Sequence, residues 1–75
     1  MPFIHVYAQS GKDIETKKKA ARAIVNVITE TIGAPEQVIT VAYEDIPPEL
    51  WEKDVEQDVI EPLRDKLLID HGKPA

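Results

Sequence analysis

The residue with the most to offer chemically is Pro2, which directly follows Met1 in the apolar run Met1-Pro2-Phe3-Ile4-His5-Val6-Tyr7-Ala8-Gln9. Proline is small enough for an aminopeptidase to remove the methionine ahead of it, and removal leaves a free secondary amine at the start of a strand. An amine held on a rigid strand has its pKa lowered by burial and by neighbouring cations. A base poised near neutral pH is what proton transfer at carbon requires. The simpler reading is steric: proline has no backbone N–H and is tolerated at the first residue of a strand. Lys12, in the turn Ser10-Gly11-Lys12-Asp13, is either a substrate contact or an exposed turn residue. Trp51 is either the wall of an apolar pocket or a core or interface anchor, the commoner use of a tryptophan. Tyr7 and Tyr43 read as packing residues. His5 lies inside the first strand and reads as packed or hydrogen-bonded. With His71 far away in a polar tail and no cysteine in the chain, no metal-binding spacing exists.

The elements that position these residues follow in order. Strand one spans Pro2 to about Ala8 and is apolar on both parities, so both of its faces should be covered. Asp13 is the expected N-cap of a helix from Ile14 to Ile32, with Glu15 in its first turn. Its apolar stripe, Ala21, Ile24, Val25, Ile28 and Ile32, follows i, i+3, i+4, i+7, widened by Ile14, Ala20 and Val27. Gly33 supplies the C′ position and Pro35 blocks continuation. The run from Val38 to Tyr43 is β-branched and aromatic and reads as strand two, followed by a linker from Glu44 to Pro48. Strand, helix and strand form a βαβ unit with two parallel strands and a right-handed crossover. Beyond Pro47-Pro48, the residues Trp51, Val55, Val59, Leu63 and Leu67 recur every four positions. Pro62 falls inside that stretch, so a kink or two short helices meeting at Ile60-Glu61 is expected. The end, Asp70 to Ala75, should be loosely ordered.

Size and charge narrow the possibilities. A chain of 75 residues is expected to form one domain burying only about 60 to 65% of its unfolded surface. Two strands under one helix are too little sheet to stand alone. Without cysteines, self-association is the expected support. The 14 acidic against 9 basic residues give a net charge of −5, which disfavours phosphate backbones and anionic lipid. The basic cluster Lys17-Lys18-Lys19 with Arg22 would be a solvated helix face or would steer an anion. No apolar run is long enough for a signal-peptide core or a membrane span, and a cytoplasmic protein is the expectation.

A proline after the initiator methionine, a short strand, Gly11-Lys12-Asp13, a long helix closing at Gly33-Ala34-Pro35 and a second strand together resemble the 4-oxalocrotonate tautomerase family. The resemblance runs from Pro2 to about Trp51. The tail, with Trp51 and Glu61-Pro62, resembles a longer branch in which a C-terminal helical extension replaces a short hairpin and dimers rather than hexamers form. The resemblance implies that Pro2 is general base and acid, that Lys12 stands where an arginine binds substrate, and that Thr40 stands where a second arginine belongs. Lysine keeps the charge but loses the bidentate fork, and threonine keeps neither charge nor reach. Diacid substrates are thereby disfavoured against small or aromatic 2-keto acids such as phenylpyruvate. Trp51 matches an aromatic position of the family's pocket.

The implied reaction is a keto–enol tautomerisation that needs no metal or organic cofactor. Phe3 and Trp51 would line an apolar pocket around the Pro2 nitrogen. Lys12, or a backbone N–H near Ile39 or Thr40, would stabilise the enolate. Two alternatives stand beside it: hydration or dehalogenation of an unsaturated acid by the same proline, and a non-enzymatic oligomeric module in which Pro2 is inert.

Overall fold

In the computed structural model, which describes residues 1–75, strand β1 covers Phe3–Gln9, helix α1 covers Ile14–Ile32 and strand β2 covers Thr40–Ile46. The helix forms within the limits its sequence sets. The Asp13 carboxylate accepts the Thr16 N–H at 2.8 Å, and hydrogen bonding from Thr16, its side chain first and its backbone N–H second, holds the Asp13 pKa below the usual aspartate range. At the other end Gly33 adopts φ 78° and returns its N–H to the Thr29 carbonyl at 3.1 Å, a left-handed cap that a Cβ would strain.

β1 and β2 pair in parallel, with Phe3 beside Thr40, His5 beside Ala42, Tyr7 beside Glu44 and Gln9 beside Ile46. The βαβ unit of the sequence reading is therefore present, with β2 displaced toward the C-terminus. Val38 and Ile39 spend their N–H groups on the Pro35 and Glu36 carbonyls in a 3₁₀ turn over Glu36–Val38, so they are not free for the ladder. Glu44, Asp45 and Ile46, expected in a linker, continue the strand. The weak strand propensity of Glu44 and Asp45 is overridden by partners: His5 Nε2–H donates to Glu44 at 2.9 Å, and Lys17 pairs with Asp45.

Alternation divides the sheet into two faces. Ile4, Val6 and Ala8, with Val41 and Tyr43, turn toward α1, whose Ala21, Ile24, Val25 and Ile28 are half-buried against them. Lys17 lies over the Tyr43 ring at 5.6 Å. Much of the basic cluster is thereby accounted for, with Lys18 near Glu15 and Arg22 near Glu36. The opposite face was expected to be covered, and in a single chain it is not. Phe3 is 64% exposed, and Ile14, Val27 and Ile32 of the helix are exposed as well.

After Pro47 the chain turns under the open face at one end only. A 3₁₀ turn at Pro48–Leu50 leads into a π-helical segment, Glu52–Ile60, and a 3₁₀ helix, Glu61–Lys66. The junction falls at Ile60-Glu61, as Pro62 predicts, but neither half is α-helical. An apolar residue at every fourth position falls between the 3.6-residue α turn and the wider π turn, so the spacing alone does not separate the two. The tail corrects its expectation too, because Ile69–Asp70 pairs antiparallel with Lys73–Pro74 as strands β3 and β4. The turn between them, His71 at φ 50° and Gly72 at φ 79°, has the two positive φ values of a type I′ hairpin. The extension thus contains a short hairpin as well as helical turns.

Only Ile46 and Val55, 6% and 2% exposed, are fully buried. The surface of 5800 Å² exceeds by about 1,200 Å² the roughly 4,600 Å² of a compact monomer of this size. The radius of gyration, 13.6 Å, exceeds the roughly 11 Å expected. A two-stranded sheet this open needs association to be stable.

Candidate active site

Pro2 is held at the mouth of the sheet by its own carbonyl, which accepts the Thr40 N–H at 3.2 Å. This bond extends the parallel ladder by one residue beyond β1 and sets Pro2 against Ile39 and Thr40. Phe3 and Thr40 are direct neighbours across the pair. Four of the six residues singled out in the sequence, Pro2, Phe3, Ile39 and Thr40, are thus gathered at one end.

The other two are elsewhere. From Pro2 to Gln9 is seven strand steps, about 23 Å at ~3.3 Å per residue, and Lys12 lies beyond Gln9. Trp51 is at that far end too, sharing a cavity with Gln9. Within one chain neither Lys12 nor Trp51 reaches Pro2, so the expected pocket lined by both Phe3 and Trp51 is not formed by a single copy. The expected oxyanion donors also need correction. Thr40 N–H is used by the Pro2 carbonyl and Ile39 N–H by the Glu36 carbonyl at 3.1 Å, leaving neither for an enolate. At that position only the Thr40 hydroxyl and the Ile39 side chain remain.

The far-end cavity has a volume of about 400 Å³. Trp51, Ile60, Leu67 and Ile69 supply its apolar lining, and Gln9, Glu56, Asp70 and His71 its polar groups. The Trp51 indole N–H donates to Glu56 at 3.3 Å. Asp70 is answered twice, by Arg64 at 3.0 Å and by His71 at 2.8 Å. The Arg64 guanidinium is itself held above its ordinary range by a hydrogen bond to Glu61 first and by Asp70 second. Glu56 has no cationic partner.

Sequence reasoning missed Glu56 because it is five residues from Trp51, and in an α-helix i and i+5 lie on different faces. The π-helix brings such pairs together, and Lys53 with Asp58 at 2.6 Å is a second case, which raises the Lys53 pKa. A strict four-residue apolar period was the available signal, and it does not separate a π turn from an α turn. His5, read as hydrogen-bonded, is so, and it stacks on Tyr7 with ring centroids 4.1 Å apart.

The site's end-of-sheet proline belongs to a stretch with known relatives. The family model described as "Tautomerase enzyme" matches residues 2–55, from Pro2 through β1, α1 and β2. The chain belongs to the tautomerase family. It is similar to the probable tautomerase LL0574 of Lactococcus lactis subsp. lactis (strain IL1403), 36% identical over 47 residues, which covers 63% of this chain and 77% of that protein. Among solved structures it is similar to a 4-oxalocrotonate tautomerase isozyme from Methylibium petroleiphilum, with a TM-score of 0.64 and 30% identity over 67% of this chain and 81% of that one. It is also similar to N2, a member of the 4-oxalocrotonate tautomerase family, with a TM-score of 0.60 and 37% identity over 61% and 72%. TomN, a 4-oxalocrotonate tautomerase homologue of the tomaymycin biosynthetic pathway, shares the fold at a TM-score of 0.65 and 22% identity over 97% of this chain and 86% of its own. The protein is therefore an isomerase of the tautomerase type, and no helix in it is long and apolar enough to cross a membrane.

Proposed function

We propose that this tautomerase interconverts the keto and enol forms of small 2-keto acids such as phenylpyruvate, with the Pro2 nitrogen, freed by loss of Met1, as general base and acid. The observation that carries this reading is the Thr40 N–H to Pro2 carbonyl bond, which fixes Pro2 at the end of the sheet instead of on a frayed terminus. The neutral nitrogen takes the enol O–H proton and leaves an enolate, whose oxygen pair forms the C=O as its C=C pair takes up a proton at carbon. The resulting ammonium then delivers a proton to the adjacent carbon, receiving nothing else in return. Positioned transfer of this kind contributes about 10²- to 10⁴-fold.

The cation comes from a second copy. β1 has an unpaired edge, and a two-fold axis pairing β1 with itself makes the pairing antiparallel. Centred on Val6, it sets Phe3 beside Gln9 and Pro2 beside Ser10 of the second copy, two residues from that copy's Lys12. Trp51 of the same copy then approaches the exposed Phe3. This apolar pair disfavours the ammonium form at Pro2, while Lys12 binds the single carboxylate and offsets enolate charge. With Thr40 where a second cation would be needed, one carboxylate is what the site can answer.

The test is ketonisation of phenylenolpyruvate, followed by ultraviolet absorbance, with protein whose intact mass shows Met1 removed. Turnover well above buffer is expected. A rate equal to buffer, or a native protein that retains Met1, overturns the reading.

A further inference from the structure

The cavity between Trp51 and the β3–β4 hairpin has no place in the proton transfer itself, yet its position ties it to the site. Gln9 lines it, and in the antiparallel pairing above Gln9 faces Phe3 of the second copy. Cross-strand neighbours project on the same side of a sheet, so the cavity opens beside the Phe3 side chain and the Pro2 amine that precedes it. A substrate whose carboxylate is bound by Lys12 and whose reacting carbon lies at Pro2 has its remaining end directed here. The lining is chiefly apolar. Its two carboxylates are answered unequally, because Asp70 accepts hydrogen bonds from Arg64 and His71, whereas Glu56 accepts only the Trp51 indole N–H. Glu56 also lies just outside residues 2–55, the part matched by the family model.

We infer that Glu56 is a specificity-determining residue: it holds the Trp51 ring as one wall of the pocket for the substrate's side group, and its uncompensated carboxylate rejects substrates that carry a second carboxylate. The occupant that fits is an uncharged aromatic or aliphatic group, favoured further where it carries a hydroxyl that can donate to Glu56. A second carboxylate in the same cavity would meet a like charge in a partly dry setting, where repulsion is several times stronger than in bulk water. The inference rests on the proposed function and on its two-fold site.

The experiment compares kcat/KM for phenylenolpyruvate, a monoacid, with that for the enol of 4-oxalocrotonate, a diacid, in the wild type, Glu56→Gln and Glu56→Asp. Glutamine still accepts the indole N–H but has no charge, so the diacid-to-monoacid ratio should rise about tenfold. Aspartate, which keeps the charge, should stay near the wild-type ratio. In the wild-type protein the same ratio should climb with added KCl, as screening weakens the repulsion, and this needs no variant to fold. A ratio unmoved by both Glu56→Gln and salt, in an enzyme active on phenylenolpyruvate, overturns the role of Glu56 alone. Inactivity of the wild type on both enols overturns the proposed function and this inference with it.

Discussion

The two ends of the parallel sheet carry different halves of the chemistry. At the amino end are Pro2, Phe3, Ile39 and Thr40, with a fixed backbone, an exposed aromatic ring and no cation. At the carboxyl end are Lys12, Trp51 and a cavity backed by the helical turns and hairpin, with charge and apolar walls but without the Pro2 amine. Each end is deficient where the other is supplied, and a strand length separates them. The strand pairing proposed between two copies would close that gap, and it would also use the β1 edge that a single chain leaves unpaired. The same split runs through the architecture. The amino-terminal half follows ordinary α/β rules, whereas the extension is built from π and 3₁₀ turns around two buried residues, Ile46 and Val55.

The largest effect that would test this division comes from the amino end. Pro2→Ala, which replaces a secondary by a primary amine on a looser backbone, should lower kcat by at least about 10²-fold with the circular dichroism spectrum unchanged. An undiminished kcat would move the base elsewhere. Next in size is a mixing experiment between the ends. Pro2→Ala and Lys12→Ala proteins, each impaired alone, should regain about a quarter of wild-type activity when refolded together in equal amounts, because half of the dimers then contain one intact site of two. Recovery absent despite exchange of subunits would mean that Lys12 and Pro2 act within one copy or not together.

The smallest effect sharpens the comparison by leaving both ends in place. Asp13→Ala removes the cap that starts α1 just after Lys12, and should lower Tm by a few degrees. Since folding depresses the Asp13 pKa, the wild-type advantage is present above about pH 4 and fades as the pH falls through the depressed value. Thermal melts of both proteins between pH 7 and pH 2.5 check the sign.

Much of the amino-terminal half was legible beforehand. The limits of α1 at Asp13 and Gly33 were readable because caps are local chemistry, and the parallel pairing because a long helix between two short strands leaves few topologies. β2 was misplaced by a few residues, since the bonds of Val38 and Ile39 and the partners of Glu44 and Asp45 depend on contacts distant in sequence. The hairpin was missed although Gly72 marks its turn. The π-helix escaped because its signal, a four-residue period, is close to the α-helical one. At the candidate site, Pro2 was visible by type, but the loss of the Ile39 and Thr40 N–H groups to internal bonds and the presence of Glu56 beside Trp51 were not.

By itself the amino-acid sequence determined the βαβ order, the helix ends and which residues are able to move or attract a proton, because these follow from side-chain type and short-range periodicity. Only the tertiary structure decided that those residues lie at opposite ends of the sheet. Distance along a chain does not state distance in space until strand pairing and its register are set. That register leaves Pro2 and Lys12 a full strand apart in one copy, with an open strand edge through which a second copy can bring them together.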